Sequence, residues 1–239
     1  MAMTRTKACS ECAHHQTCVL SGMDAKDFER APSSARTHRV LQRGDQLFEA
    51  GETMDTLFVL RSGCVKTWTL TEEGEEQIVR FHLSGEILGM NAIGSGSHSC
   101  TATALDTASV CPLPYEWLQH LADRVPEVNH RLYRVMSNEL SFEHRMLSLF
   151  GNRSAPRRVA LFLIHLSESL QDRGFSSHEF NLSMARREIA NYLGLSVETV
   201  SRTFSNFHNS GLLEVDGRQI RVQNLPGLMA LGGLRDCRH

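Results

Sequence analysis

The sequence lacks any long apolar run. Its longest unbroken apolar segment, residues 159–164, has six residues, whereas a membrane-spanning helix needs about 20. Residues 1–30 are polar and cysteine-rich, without the apolar stretch of a secretory signal, so we expect a cytoplasmic protein with no membrane association. A disulfide framework is not expected either, because such a compartment is reducing and the seven cysteines are odd in number.

The chain also lacks the usual signatures of an enzyme. We find no nucleophile elbow, no phosphate-binding loop and no pair of carboxylates at catalytic spacing, and therefore predict that the protein is not an enzyme. Its net charge is only −2, but residues 151–239 carry 11 Arg against 8 acidic residues, which leaves the remainder at −5. A weakly basic C-terminal part permits nucleic-acid binding without establishing it.

The remaining pattern predicts an α+β protein of two modest domains. Residues 38–115 contain short strands between glycine turns, which predicts a small β-barrel or a jelly-roll-like β-roll. Pro126 suits the first turn of a helix that continues without interruption to Phe150. We therefore predict a cysteine-rich segment (1–30), a β-roll sensor domain (31–123), a dimerisation helix (124–152) and a winged helix-turn-helix domain (153–239).

Six positions of the predicted helix recur at alternating intervals of three and four residues, as in a heptad seam. They are Tyr133, Met136, Leu140, Glu143, Leu147 and Phe150. One interpretation is a parallel two-helix dimer interface, in which Glu143 would approach and repel its own mate. The other is a single amphipathic helix that packs on its own domain, with Glu143 facing solvent.

The C-terminal part has the local signals of a helix-turn-helix. Residues 186–193 predict its first helix, Gly194 a left-handed turn residue, and Ser196 the N-cap of the second helix. A hairpin over residues 212–222, whose Asp216–Gly217 pair suits a type I′ turn, predicts the wing.

One face of the second helix is predicted to contact DNA. Its core side carries Val200, Phe204 and Phe207, whereas its opposite face, near the N-terminus, carries Val197, Glu198, Ser201 and Arg202. The N-terminal end of a recognition helix meets base edges in the major groove. Because Arg can bind guanine and Glu can bind cytosine, Glu198 and Arg202 could read one G·C pair. The alternative is an i,i+4 ion pair on the surface.

Four cysteines stand apart from the rest: Cys9, Cys12, Cys18 and the remote Cys111. Four thiolates suit an iron–sulfur cluster or tetrahedral zinc. Zinc sites usually show two tight ligand pairs, and only one is present here, although His14 and His15 could complete a zinc site. Taken alone, Cys111 could instead be a core thiol at a strand end. The other three are expected to be core or tail residues: Cys64, Cys100 and Cys237.

These features together resemble the cyclic-AMP receptor/FNR superfamily of transcription regulators. The sequence Glu-Thr-Val-Ser-Arg after a glycine turn resembles the family's recognition helix, and the order of β-roll, long helix and winged helix is the same. The four cysteines resemble those of the oxygen-sensing FNR branch, as do residues 81–86 (Phe-His-Leu-x-Gly-Glu) and 92–96 (Ala-Ile-Gly-Ser-Gly).

The resemblance implies a homodimer that binds double-stranded DNA at an inverted repeat of TTGAT-like half-sites. Glu198, Ser201 and Arg202 would contact bases, and Val197 stands where the cyclic-AMP branch has Arg, which favours FNR-type specificity. The family also contacts RNA polymerase, for which an exposed loop with Thr71, Gly74 and Glu75 is a candidate. The same loop could equally be an ordinary acidic hairpin tip.

The resemblance further implies a 4Fe-4S cluster on Cys9, Cys12, Cys18 and Cys111. In this branch oxygen converts the cluster to 2Fe-2S and then removes it, so the chain would dimerise without oxygen and regulate anaerobic gene expression as an activator or repressor. The alternative is a zinc-stabilised DNA-binding regulator of the same superfamily that responds to another effector.

A cyclic nucleotide is not an expected ligand. Its phosphate needs a cationic partner, usually an Arg, and no Arg or Lys occurs between Arg80 and Arg124. Rough alignment with the cyclic-AMP branch also places Cys100-Thr101 where that branch has Arg-Ser, and Met90 where it has Glu.

Overall fold

The structure, a computed structural model, describes residues 3–5, 12, 18–20, 23, 26–27, 30–150 and 154–234, without the side chains of 3–5 and 145–150. The chain divides into two compact units, Met1–Leu140 and Ser141–His239. Within the described ranges, none of the helices has the length and apolarity to cross a membrane.

The first unit contains two antiparallel sheets, which confirms the predicted β-roll. One sheet has the strand order β1-β2-β9-β4-β7 and the other β3-β8-β5-β6. The strands are β1 (Met3–Arg5), β2 (Thr37–Leu41), β3 (Gln46–Phe48), β4 (Thr56–Ser62), β5 (Cys64–Leu70), β6 (Glu76–Leu83), β7 (Ile87–Leu88), β8 (Thr101–Ala104) and β9 (Ala108–Pro114).

Strands β4 and β9 are apolar on both faces, and each face serves a different core. Leu60 and Val110 belong to a cluster that takes buried side chains from both sheets. Val59 and Leu113 belong to a second cluster, which also includes helical residues. Because side chains alternate along a strand, this one sheet is covered on both sides, and the second cluster lies on its helix-covered face.

Two helices follow β9. The first, α1 (Tyr115–Arg124), begins directly at the end of the strand and was not predicted. The second, α2 (Pro126–Phe150), has the predicted bounds. Val128 of α2 is fully buried in the second cluster, and Leu132 and Val135 pack against it. The side of α2 that contacts the β-roll is thereby defined.

The second unit contains a long helix, followed by the two predicted helices of the helix-turn-helix and the predicted hairpin. A short strand and a last helix, which were not predicted, complete it, and the strand order of its sheet is β10-β12-β11. The elements are α3 (Ala155–Gln171), β10 (Glu179–Asn181), α4 (Arg186–Leu193), α5 (Val197–Asn209), β11 (Leu213–Asp216), β12 (Gln219–Val222) and α6 (Leu225–Gly232).

The predicted type I′ turn of the hairpin is wrong. Asp216 pairs with Gln219 across the hairpin, so the two central turn residues are Gly217 and Arg218. Gly217 has φ +56°, and no described residue other than glycine has a positive φ. A type I′ turn requires positive φ at both central positions, whereas positive φ at the first alone is the pattern of a type II′ turn.

Candidate functional site

Helices α4 and α5 and their connection form a helix-turn-helix with the predicted local chemistry. Gly194 ends α4 in the left-handed region, at φ +62° and ψ +44°. Ser196 is the N-cap of α5, and its hydroxyl oxygen accepts a hydrogen bond from the backbone N–H of Thr199 at 3.2 Å. The left-handed residue turns the chain, and the N-cap fixes where the second helix begins.

The faces of α5 are divided as the sequence predicts. Three side chains are buried and attach the helix to its unit: Val200, Phe204 and Phe207. Four side chains at its N-terminal end are exposed: Val197, Glu198, Ser201 and Arg202. The described residues include no ion pair between Glu198 and Arg202, so the surface ion-pair alternative is absent here. Both side chains are available to base edges, and their contact with DNA stays a prediction.

Two arginines that the sequence reading missed connect the wing to the start of α4. Arg186 donates to the backbone oxygen of Gly217 at 3.3 Å, and Arg218 donates to that of Ser183 at 3.3 Å. The Arg186 guanidinium carbon also lies 3.8 Å from the ring centroid of Phe204 in α5, a cation–π contact. Burial, and secondarily Arg218, lowers the pKa of Arg186, which nevertheless stays charged at neutral pH. No local sequence signal marks such contacts, because they join three separate elements.

Cys18 and Cys111 approach the same apolar cluster from different parts of the chain. Cys111 lies on β9 opposite Val59 of β4, and both cysteines are partly buried against the cluster that contains Val19 and Leu20. Strand β1, which ends at Arg5, pairs with β2, and Cys18 packs at the helix-covered face of the same sheet. The described chain therefore brings two of the four predicted thiols to one core.

The remaining cysteines separate into two groups. Cys12 is partly buried, whereas Cys9 lies outside the described residues. In the part of the chain that the structure describes, no group of three or more His, Cys, Asp or Glu side chains could hold a metal. Cys64 and Cys100 are buried in the β-roll, and burial raises the pKa of the Cys100 thiol, as suits core residues. Cys237 lies outside the described residues.

The predicted seam of α2 is exposed in the single chain. Tyr133 is 65%, Met136 47% and Leu140 63% exposed, although such side chains are usually buried. The helix packs on its own β-roll through a different face, so these three residues are not its domain-packing side. Glu143 is also exposed. The side chains of Leu147 and Phe150 lie outside the described residues.

Two further predicted features have defined positions. The loop with Thr71, Gly74 and Glu75 is the turn between β5 and β6, closed by a 2.9 Å hydrogen bond from the Thr71 N–H to the Glu75 oxygen. It is largely exposed. At the other feature, Cys100 and Thr101 are both buried, and no Arg or Lys occurs in residues 81–123. A phosphate near Cys100 would thus lack a cation from that stretch.

Comparison with known proteins agrees with this architecture. A cyclic nucleotide-binding domain model matches residues 38–125, and a Crp-like helix-turn-helix domain model matches residues 157–231. The chain is 39% identical to the fumarate and nitrate reduction regulatory protein of Escherichia coli (strain K12) over 225 residues, which cover 94% of this chain and 90% of that protein. It is also 39% identical to the transcriptional activator protein FnrA of Stutzerimonas stutzeri over 229 residues, 96% and 94% of the two chains.

A solved structure has the same architecture. FixK2 from Bradyrhizobium japonicum superposes with a TM-score of 0.74 at 30% identity, covering 82% of this chain and 96% of that one. The fold, the helix-turn-helix and these relatives together define a DNA-binding transcription regulator and not an enzyme. The chain belongs to the CRP/FNR family, whose regulators are dimeric.

Proposed function

We propose that this regulator responds to oxygen through a 4Fe-4S cluster held by Cys9, Cys12, Cys18 and Cys111. The observation that carries the proposal is that Cys18 and Cys111, 93 positions apart in the sequence, pack against one apolar cluster. Partly buried thiolates at an apolar core suit a cluster, because thiolates are its usual ligands and limited solvent exposure helps set its properties. The similarity to fumarate and nitrate reduction regulatory proteins supports the same assignment.

The apolar side chains that surround these thiols also explain how the iron–sulfur site could affect dimerisation. It includes Val128 of α2, with Leu132 and Val135 packed against it. When bound, the iron–sulfur group would supply an oxygen-labile link between the N-terminal segment and β9. Cys18 and Cys111 would then hold the surface on which α2 lies. Release of these thiols would loosen that surface, because its packing would lose a covalent constraint.

In the proposed dimer, two copies of α2 meet through the exposed seam. The interface would comprise Tyr133, Met136, Leu140, Glu143, Leu147 and Phe150. Burying the exposed apolar side chains is favourable by about 25 cal/mol per Å². Two Glu143 carboxylates 5–10 Å apart would oppose this by about 2–3 kcal/mol at an effective dielectric constant of about 20. The dimer is then only marginally stable, and it forms only when the β-roll holds α2 in place.

Each subunit of the dimer would bind one TTGAT-like half-site of an inverted repeat. Val197, Glu198, Ser201 and Arg202 are exposed at the N-terminal end of α5, the part of a recognition helix that reaches base edges. RNA polymerase would contact the exposed loop that contains Thr71, Gly74 and Glu75. A cyclic nucleotide would play no part, because a cationic partner for its phosphate is missing from the stretch around Cys100.

The test is the metal content of the full chain isolated without oxygen. We expect about four iron and four acid-labile sulfide per chain, with visible absorption that bleaches in air. Cys111→Ser should lose the iron, whereas the matched variant Cys64→Ser, which alters a buried cysteine elsewhere in the β-roll, should retain it. Zinc in place of iron would favour the zinc-stabilised alternative. Protein with neither iron nor sulfide would refute the cluster.

A further inference from the structure

A buried guanidinium connects the β-roll to α2. Arg80, on edge strand β6, is only 7% exposed. Its Nη2 atom lies 3.0 Å from Oε2 of Glu86, directly before strand β7, and its Nη1 atom donates to Oε1 of Glu139 on α2. One side chain thus bridges two carboxylates that belong to different elements.

The arrangement needs both carboxylates. Removing a charged group from water is costly unless opposite charges and hydrogen bonds replace the solvent. Burial would lower the pKa of Arg80, but Glu86 and Glu139 outweigh it and raise that pKa. A guanidinium suits this place because its planar fork can donate in two directions, which a compact ammonium does not reproduce. Glu86 also lies 3.4 Å from Nδ1 of His82, so it belongs to the β-roll side of the network.

Glu139 occupies a particular position on α2. Val128, Leu132, Val135 and Glu139 are spaced by four, three and four residues, and so lie on one helix face at about 100° per residue. The first three contact the apolar cluster, and Glu139 continues the same face with an ion pair. The exposed residues Tyr133, Met136 and Leu140 lie about 100° around the helix from this face.

The two kinds of contact constrain the helix differently. Apolar packing is non-directional, so the Val128 face keeps α2 on the β-roll but tolerates a small rotation. A charged hydrogen bond to a fixed guanidinium is directional. Leu140 directly follows Glu139, so a rotation that broke the Arg80–Glu139 contact would also turn Leu140.

We infer that Arg80 is a positioning residue for dimerisation: by binding Glu139 it fixes the rotation of α2 at which Tyr133, Met136 and Leu140 face a second subunit. The inference rests on the proposed function, in which these residues form the dimer interface. Arg80 itself would touch neither the second subunit nor DNA. It acts through Glu139.

The experiment compares two isosteric variants of the full chain isolated without oxygen. Glu139→Gln and Glu86→Gln each remove one charge from the Arg80 network, but only Glu139 lies on α2. The readout is the dimer dissociation constant from sedimentation equilibrium, together with iron per chain and the thermal midpoint. We expect Glu139→Gln to raise the dissociation constant about tenfold and Glu86→Gln to raise it less than about threefold, with iron content unchanged in both.

Four outcomes separate the possibilities. Equal effects of the two variants on the dissociation constant would overturn the inference, because Arg80 would then contribute only to stability. A lower thermal midpoint for Glu139→Gln with an unchanged dissociation constant would overturn it as well. Leu140→Ala tests the underlying interface: if that variant dimerises like the wild type, the proposed interface itself fails. Should Leu140→Ala weaken the dimer while Glu139→Gln does not, the interface stands and only the role of Arg80 is refuted.

Discussion

Removal of the Arg202 side chain should weaken specific DNA binding without harming the fold. Arg202 is exposed on α5, so Arg202→Ala should change the free energy of unfolding by less than about 0.5 kcal/mol. Loss of a bidentate contact to guanine costs about 1–3 kcal/mol per half-site. The two half-sites are far apart and their losses should add, giving about 2–6 kcal/mol on the inverted repeat. The dissociation constant should therefore rise by roughly 30-fold to 10⁴-fold.

The assay is titration of labelled duplexes with the anaerobically isolated protein at several salt concentrations. A matching inverted repeat and a random duplex are compared, and Asn209→Ala, at the last residue of the same helix, serves as the control. We expect Arg202→Ala to lose affinity for the matching duplex only and to keep the wild-type salt dependence. Equal weakening on both duplexes, with a salt slope reduced by about two (about one for each half-site), would show that Arg202 contacts a phosphate and refute the base contact.

Two further predictions concern pH and dimerisation. Burial lowers the pKa of His98 below its ordinary 6.5, and its ring stacks on Phe48 at 3.8 Å. Its stabilising contribution is therefore present above about pH 6.5 and lost as the pH falls, because the unfolded state takes up the proton first. In urea unfolding of the apoprotein, the free energy of unfolding should depend less on pH for His98→Gln than for the wild type. Parallel curves of this free energy against pH would contradict the prediction. In air-exposed protein, Glu143→Ala should lower the dimer dissociation constant roughly 30- to 150-fold, because the repulsion between the two Glu143 carboxylates is removed. If sedimentation shows that the Glu143→Ala apoprotein is as monomeric as the wild-type apoprotein, charge repulsion is not the cause.

The features that the sequence predicted correctly depend on local signals. The strands β4, β5 and β6 are short segments with glycine at their turns, and α2 begins at Pro126 and ends at Phe150 as predicted. The helix-turn-helix depends on residues close together in the chain, above all Gly194 and Ser196. Burial on α5 follows the 3.6-residue period, so its exposed face could be assigned from spacing alone.

The features that escaped prediction depend on distant partners. β10 has only three residues, and it is a strand because it pairs with β12, about 40 residues later. The Asp216–Gly217 pair predicts a turn at these two residues, but Asp216 pairs with Gln219, so the turn lies one residue later. Arg80 carries no local mark of importance, since its two carboxylates are six and 59 positions away. Register and long-range charge pairing are properties of the folded chain.

The proposed switch requires that loss of the N-terminal link changes α2 without unfolding the β-roll. The structure allows this because the two apolar clusters of the first unit lie on opposite faces of the sheet that contains β4 and β9. The cluster between the sheets includes Leu60 and Val110, and none of the described residues of segment 1–30 belongs to it. Only the other cluster contains Val19 and Leu20 together with Val128. A change at Cys18 would therefore loosen the packing beneath α2 while the sandwich interior keeps its own contacts, so that local opening costs less than global unfolding.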